Sequence, residues 1–563
     1  MMIPNSSFYI YIQESTMPHL SDYPHLVDTS GQFTIPPAAF LLAFTQAPPS
    51  VTENLSPAQR TEIDASTVLS GQAARTCYSG SGIVTSLDYV LGTEKHRATT
   101  DKVAASTLGS GHLTTRQHRT LSFGLYLSRY LAWVLHSQPF YNSEQVSERY
   151  VAMDETSLMV PGGDVFTSSG QELVLAYQRL KDILTPVARQ LLRQRFPGRS
   201  ISKWQTWLDS EAEKKAQEVA RYILPWGFQT YMYFTITDLT LMRLHRLSLT
   251  YDIGAEATTL IRLMVELITS VDPSFADQIT DPLPLESTPE YQLFASRLPD
   301  SALFGQKFDL RLHGHPVLVR PDPTNPFFQL ADAIQDTLGF SREQLGDAEA
   351  VDMVLNPNRN PILSSTLGES VMHQLTQSLN QVVIRTLVRL SFAADSQFQR
   401  HRGFFHTRPV YSSIPDPDRD IITPALIAYS QEARSVYREA IQTNNRFMQS
   451  LLEQGVPQHQ INYLQVKGAV IRKRAALPLG YLYPFLKART CLNAQEEIYA
   501  IAVSIIQQLQ VIDPKLAAYF SHPSPCGVRK LAGIGPHCPE GARYCGDPRM
   551  WSLPVDDYPD RLI

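Results

Sequence analysis

The chain has 563 residues, more than the roughly 250–300 at which a single hydrophobic core stops growing, so its length predicts at least two domains. With 43% hydrophobic and 18% charged residues, it is not a wholly disordered chain. The formal net charge of −5 argues against a protein that coats nucleic acid. We therefore expect no nucleic-acid polymer as a partner and local arginines around any anionic ligand.

The sequence also indicates a compartment. It contains no run of 18 apolar residues, so we predict no membrane span. Residues 1–13 lack the basic and apolar regions of a secretory signal. Five cysteines, an odd number, fit a reducing environment better than a disulfide framework. We expect a soluble, cytoplasmic protein without membrane partners.

The first half of the chain has the pattern of an α+β domain. Residues 1–60 show no clear period and are taken as an N-terminal extension, although Ser56 before Pro57 is a plausible N-cap. A first domain is predicted over 61–275. Its clearest elements are amphipathic helices at 172–195 and 210–223, a strand at 231–236 and a helix at 254–270.

The second half repeats this order after a linker. Residues 276–304 are rich in proline and are predicted to form the linker, and a second domain is predicted over 305–520. Residues 308–320 resemble a β-hairpin with its turn at His313-Gly314-His315. Helical patterns follow at 365–394, 423–453 and 494–511, and a cysteine-containing tail covers 521–563. The shared order predicts a tandem duplication.

Two polar segments are candidates for anion binding. Asn142 to Tyr150 gathers hydroxyls, amides and Arg149, which suits a phosphate if the segment forms a tight loop. Arg400-His401-Arg402 is a compact cationic group that can hold a phosphate or an anionic ring. The alternatives are a solvated polar loop and an exposed basic turn.

A third candidate is an arginine followed by Leu-Pro. Arg474-Ala-Ala-Leu-Pro478 looks like the counterpart of Arg221-Tyr-Ile-Leu-Pro225 in the first half. Arg489 follows in the second half and begins the segment Arg489 to Ile498. The alternative for Arg489 is an ordinary charge on a helix surface.

Together these segments resemble the flavin-dependent thymidylate synthases. Residues 60–275, and more loosely 305–520, each resemble a family domain. In the first half the matching segments are Ala73 to Tyr78, Gly111-His112, Ser147-x-Arg149-Tyr150 and Glu218 to Pro225. In the second half they are Arg400-His401-Arg402 and Arg489 to Ile498. The resemblance implies an α+β fold with two tandem domains, each a mixed or antiparallel sheet packed with long helices.

The departures from the family pattern are complementary. Ser137-Gln138-Pro139 stands where the first half should have Arg-His-Arg, and Val410-Tyr411-Ser412 stands where the second should have Ser-x-Arg. Ser248 takes the position that Arg489 holds in the second half. Since family members are homotetramers with sites between subunits, the resemblance implies a homodimer that forms a pseudo-tetramer with about half as many working sites.

The resemblance also implies roles for individual residues. Arg489 would be the catalytic arginine that faces the pyrimidine ring. The nucleotide would be held by Gln145, Ser147, Arg149, Arg221 and Arg474. The flavin side would be formed by Arg400, His401, Arg402 and His112, with Asn493 in place of a histidine often found there. The implied reaction converts dUMP to dTMP with FAD, methylenetetrahydrofolate and NADPH.

Two alternatives to this reaction remain open at the level of sequence. One is flavin-dependent C5 alkylation of another uracil nucleotide, because the phosphate- and ring-binding positions do not distinguish deoxyribose from ribose. The other is a non-catalytic binding or assembly module that keeps the fold. A nucleophilic cysteine is unsupported, since Cys77 and Cys491 have no adjacent base.

The tail carries Cys526, Cys538 and Cys545 with His522 and His537 nearby. Three thiols and a histidine suit tetrahedral Zn²⁺, which makes these cysteines a candidate zinc site. The spacing is not Cys-x2-Cys and the fourth ligand is unassigned, so free thiols in a tail rich in proline and glycine are the alternative.

Overall fold

The computed structural model describes residues 32–148, 154–196, 205–251, 254–410 and 412–563. Helices predominate, and the strands form two four-stranded antiparallel sheets. None of the described helices is both long enough and apolar enough to cross a membrane.

The two sheets have the same topology. The first consists of β1 (Ala38–Phe44), β2 (Thr120–Ser128), β3 (Asn142–Gln145) and β4 (Gln229–Thr237), in the order β1-β2-β4-β3. The second consists of β5 (Val317–Val319), β6 (Val383–Ser391), β7 (Phe405–Thr407) and β8 (Val470–Pro478), in the order β5-β6-β8-β7. The equal order confirms two tandem domains of one α+β fold. Strand β1 comes from the segment that the sequence suggested was an extension.

Helices surround both sheets. In the first domain they are α1 (Pro49–Thr52), α2 (Pro57–Ile63), α3 (Ser66–Thr76), α4 (Ser86–Val90), α5 (Glu94–Gly109), α6 (Arg129–His136), α7 (Asp164–Arg195), α8 (Gln205–Ala220), α9 (Asp238–Arg246) and α10 (Gly254–Val271). Between the domains lie α11 (Pro289–Ser296) and α12 (Ser301–Leu310). The second domain and tail contain α13 (Pro326–Leu338), α14 (Asp347–Leu355), α15 (Phe392–Phe398), α16 (Ala425–Tyr429), α17 (Gln431–Glu453), α18 (Gln458–Ile461), α19 (Leu479–Arg489), α20 (Glu496–Ile512), α21 (Pro514–Ala517) and α22 (Pro525–Leu531).

Several predicted elements are confirmed because their signals are local. The Ser56 hydroxyl accepts a hydrogen bond from the backbone N–H of Gln59 and forms a capping box at the start of α2. The long amphipathic patterns become α7, α17 and α20, each burying one face in the core.

Two predictions are wrong. Residues 308–312 do not form the first strand of a hairpin, because the Asp300 carboxylate caps α12 and the helix continues to Leu310, with Phe308 and Leu312 buried together one turn apart. The span 365–394 is not one helix, because it contains short 3₁₀ turns and then β6. Strand β6 is rich in β-branched residues and pairs with β8 at nine positions.

A pseudo-two-fold axis relates the two domains. The backbone N–H and hydroxyl of Ser128 both donate to the Glu256 carboxylate, which also accepts from the hydroxyl of Tyr463 in the other domain. The same contacts recur with the domains exchanged: Ser391, Glu497 and Tyr222. Pro225 and Val466, each three residues after its tyrosine, pair across this axis. These contacts fix which residues of the two halves are equivalent.

Candidate active site

The Arg400-His401-Arg402 turn directly follows α15. The His401 ring packs 5.8 Å from Phe404 and 4.9 Å from Phe485, measured between ring centroids. Burial, with Arg489 and Arg400 nearby, lowers the pKa of His401 to about 3. The imidazole is therefore neutral at pH 7, and its Nε2 accepts a hydrogen bond of 3.1 Å from Nε of Arg489.

Arg489 ends α19 and is fixed by further contacts. Its guanidinium donates to the side-chain oxygen of Gln397 at 3.4 Å and to the Gln397 carbonyl at 3.2 Å. The Gln397 amide donates to Gln495, whose own amide donates to the hydroxyl of Tyr222. Tyr222 directly follows Arg221, so this network joins the predicted catalytic arginine of the second domain to the predicted phosphate arginine of the first.

Both domains line a cavity of about 610 Å³ beside Arg489. The second domain supplies Arg489 and Asn493, and α8 of the first domain supplies Lys215 and Glu218. The Asn493 side-chain amide donates to the backbone carbonyl of Arg543 at 2.6 Å, so the tail orients this residue. A cavity of this size, with cations and a carboxylate in its wall, can hold a nucleotide.

Arg221 lies in the 3₁₀ turn between α8 and β4 and is 7% exposed. Its Nε and Nη2 atoms have no hydrogen-bond partner among the described residues. A buried guanidinium with open donors is a natural contact for an anion such as a phosphate. Gln145, at the end of β3, donates to the Thr230 hydroxyl at 3.1 Å. Ser147 is half-buried, whereas Arg149 lies outside the described residues.

A buried charge cluster beside Arg221 joins the two domains. The Glu148 carboxylate lies 3.1 Å from Nε of Arg129 and accepts a hydrogen bond from the Lys467 ammonium of the other domain. Burial raises the pKa of Glu148, but Arg129, Lys467 and Arg221 outweigh it and lower that pKa to about 2. The carboxylate is therefore ionised at neutral pH and anchors both cations.

We expect Glu148→Gln to destabilise the protein at pH 7 by about 3–5 kcal/mol, because it leaves two buried cations without their anion. Since folding lowers the pKa of Glu148 from 4.5 to about 2, its stabilisation is complete above pH 4.5 and is lost as the pH falls towards 2. Urea midpoints at pH 7 and pH 3 should therefore differ less for the variant than for the wild type. Glu266→Gln, at an exposed surface ion pair, is the control. Equal midpoints for wild type and Glu148→Gln at pH 7 would contradict the role.

The pseudo-two-fold axis shows that only one side keeps these charges. Because Ser128 is equivalent to Ser391 and Tyr222 to Tyr463, counting along the chain gives the other equivalent positions. The charged members and their counterparts are Arg129 and Phe392, Arg221 and Asn462, and Lys467 and Trp226. The other side has instead a cavity of about 470 Å³ bordered by Tyr130, Trp133 and Trp226, by residues of α11 and α12, and by Arg408, Asp420 and Arg472. The two related sites are thus chemically different.

This equivalence corrects the predicted pairing of Arg474 with Arg221. Arg474 lies in the middle of β8, opposite Leu387 and Thr407, whereas Arg221 precedes β4. The shared Leu-Pro dipeptide misled the sequence comparison, because Pro478 ends a strand and Pro225 comes before one.

Arg474 instead borders a second cavity, of about 860 Å³, which the Arg-His-Arg turn also lines. His401, Arg402, Arg320 and Arg385 also line it. The volume falls in the range of cofactor sites, and four arginines with an aromatic-backed imidazole suit a diphosphate joined to a flat ring. The residues present therefore fit a flavin dinucleotide.

Of the remaining predicted flavin residues, Arg400 and Arg402 belong to the same turn, whereas Asn493 borders the cavity of about 610 Å³ and His112 lies apart. The Arg402 guanidinium lies 4.6 Å from the Tyr141 ring centroid and donates to the Asn142 side chain, so it bridges the domains. Arg400 is exposed. His112 is exposed at the start of a 3₁₀ turn and borders neither of the two cavities beside the Arg-His-Arg turn. Its role remains a prediction from the resemblance.

Sequence reasoning missed several residues of this region: Arg129, Glu148, Gln397, Lys467 and Gln495. None of them stands out locally, because each gains its role from a partner far along the chain; Glu148 and Lys467 are 319 positions apart. The tail cysteines Cys526, Cys538 and Cys545 border a small cavity that Cys491 also lines.

Known proteins resemble this chain in sequence. Flavin-dependent thymidylate synthases from Saccharolobus solfataricus, Geobacter sulfurreducens and Clostridium tetani are 26%, 25% and 28% identical over 162, 159 and 176 residues. The matches cover 28%, 28% and 31% of this chain and 61%, 65% and 66% of those relatives. The chain thus spans less than two thirds of the length of each.

One similar solved structure is a UMP/dUMP methylase PolB from Streptomyces cacaoi bound with 5-Br dUMP, with 16% identity. The match covers 43% of this chain and 93% of that one, and its TM-score of 0.25 supports no further statement. The family model of the thymidylate synthase complementing proteins matches residues 61–274 and 341–515, together more than half of the chain. The chain therefore belongs to this family and carries its domain twice.

Proposed function

We propose that this protein is a flavin-dependent enzyme that methylates C5 of a uracil nucleotide, converting dUMP to dTMP. Methylenetetrahydrofolate would donate the carbon, and NADPH would reduce the FAD. The carrying observation is the cavity of about 610 Å³ in which Arg489 of the second domain meets α8 of the first. The relatives named flavin-dependent thymidylate synthases support the same activity.

The substrate side of this proposal rests on two arginines. Arg221 would bind the nucleotide phosphate through its buried Nε and Nη2 atoms, together with Gln145 and Ser147 of the same domain; these three residues do not border the cavity of about 610 Å³ itself. Arg489 would face the pyrimidine ring, where its permanent charge stabilises negative charge that develops on a ring oxygen when C5 reacts. Gln397 and His401 hold its guanidinium in place, so the charge needs no reorientation during the reaction.

The cofactor side is the cavity of about 860 Å³. Arg402 and Arg474 would bind the diphosphate, and the neutral His401 would lie against the flavin ring. When bound, the flavin supplies the methylene carrier and the hydride that the new methyl group requires. Since His401 stays neutral above pH 3, its ring adds no positive charge beside that of Arg489.

The proposed number of sites follows from the chemical difference between the two sides of the pseudo-two-fold axis. One side keeps Arg129, Arg221 and Lys467, and the other does not, so each chain would form one working site. A homodimer arranged as a pseudo-tetramer would contain two, and the five free cysteines fit the cytoplasm as its compartment.

We expect purified protein reconstituted with FAD to bind about one flavin per chain and to release tritium from C5-labelled dUMP. Release should require methylenetetrahydrofolate and a reduced nicotinamide. The proposed contacts are to the phosphate and the ring, which dUMP and UMP share. A parallel assay with labelled UMP therefore tests the ribonucleotide alternative. Flavin binding without release from either nucleotide would contradict the enzymatic proposal, and no flavin binding would favour the non-catalytic module.

A further inference from the structure

Four of the five cysteines border one small cavity at the base of the tail. Cys491 follows α19, Cys526 lies in α22, and Cys538 and Cys545 lie in the turns after it. All four are free thiols, and the cavity measures about 10 Å³. This space is close to that of one water-sized sphere, so it excludes an organic ligand and suits a single ion.

Burial is the main influence on these sulfur atoms. Burial raises the pKa of Cys491 to about 12 and also raises the pKa of Cys526 and Cys545. Against burial, the backbone N–H of Asn493 bonds to the sulfur of Cys491. The Cys526 thiol donates to the Met550 carbonyl at 3.6 Å, and the Ser524 hydroxyl lies 3.3 Å from its sulfur.

A cation also lies near the cluster. The Arg195 guanidinium at the end of α7 interacts electrostatically with Cys545, and both residues border the cavity of about 610 Å³. Four thiolates around a divalent ion carry a net charge of −2, which a neighbouring arginine partly offsets. The cluster therefore has a nearby cation that offsets part of this charge.

The tail has little other means of holding its fold. Residues 521–563 contain one helix of seven residues and several 3₁₀ turns. The fully apolar side chains that it buries are few: Val528, Met550, Val555 and Ile563. Segments this small with so little core are commonly held by a disulfide or a metal.

As placed, the described His, Cys, Asp and Glu side chains form no group of three or more that could hold a metal ion. Rotation about χ1 moves a cysteine sulfur without moving its backbone, so metal binding by these four cysteines requires a change of side-chain rotamers.

We propose that Cys491, Cys526, Cys538 and Cys545 bind one Zn²⁺ ion that fixes the tail to the second domain. Four cysteine ligands with no open position define a structural site and not a catalytic one. On binding, each thiol releases its proton to solvent and forms one Zn–S bond, with no change in oxidation state. Cys491 supplies the fourth ligand that the tail lacks, and it comes from outside the tail.

The test is the zinc content of the full-length chain, measured by inductively coupled plasma mass spectrometry after expression with added zinc. We expect about one zinc per chain, released when a mercurial reagent blocks the thiols. Cys491→Ser should fall at least about ten-fold below the wild type. Cys77→Ser is the matched control, because Cys77 is exposed in the first domain and should keep full zinc.

The zinc content of the wild-type protein can contradict the proposal by itself. The test therefore does not depend on whether a variant folds. Zinc below about one per ten chains, with all five thiols reactive in the native protein, would exclude the site. Full zinc in Cys491→Ser would exclude the assigned fourth ligand. Loss of the thiols to disulfides, shown by mass spectrometry without reductant, would replace zinc by a covalent link.

Discussion

Arg489→Ala is expected to lower kcat/KM for the nucleotide by about 10³-fold or more and to leave FAD bound. A donor aimed at developing charge typically contributes 10²–10³-fold in kcat, and here the lost group also carries a full charge. The measurement is tritium release from labelled dUMP, together with the flavin absorbance of the purified variant.

Arg446→Ala is the control, because Arg446 is an exposed arginine on α17 of the same domain. Arg489→Lys adds a second test: it keeps the charge but not the forked donor geometry, so we expect only partial recovery. Turnover at the wild-type level in Arg489→Ala would remove this residue from the proposed reaction.

Arg221→Asn is expected to raise the KM for dUMP by about 10²-fold, because it removes a buried charged contact to phosphate. The substitution places at position 221 the residue type of its counterpart, Asn462. Flavin binding should not change, since Arg221 does not border the cavity of about 860 Å³. Steady-state kinetics with dUMP and a flavin titration measure the two effects separately.

Arg262→Asn makes the same chemical change at an exposed surface ion pair and should leave KM unchanged. An unchanged KM in Arg221→Asn would place the phosphate elsewhere. A loss of FAD together with the rise in KM would indicate that the two cavities act as one site.

The sequence predicted elements whose signals are local. The amphipathic patterns of α7, α17 and α20 and the capping box at Ser56 each lie within one segment, so no distant partner is needed to find them. The prediction of a hairpin at 308–320 was wrong because the contacts that decide the structure there lie outside that segment. Phe308 and Leu312 suit a strand or a helical turn equally, and the Asp300 cap together with burial beneath β6 selected the helix.

For the candidate site, the sequence identified individual residues but not their arrangement. Arg489, Arg221 and the Arg-His-Arg turn were identified from short motifs, whereas their joint placement depends on contacts between the domains. The hydrogen bonds from Arg489 through Gln397 and Gln495 to Tyr222 cross from one domain to the other. No spacing within either half contains that information.

The sequence by itself determined the family, the duplication and the residue types of the site, because motifs and periodicity are properties of short segments. Only the tertiary structure decided that Asn462, not Arg474, is the counterpart of Arg221 and that Cys491 joins the tail cysteines. It also decided that one side of the pseudo-two-fold axis keeps its charges. The physical reason is that burial and electrostatic pairing bring together residues hundreds of positions apart, and only the folded chain sets those distances.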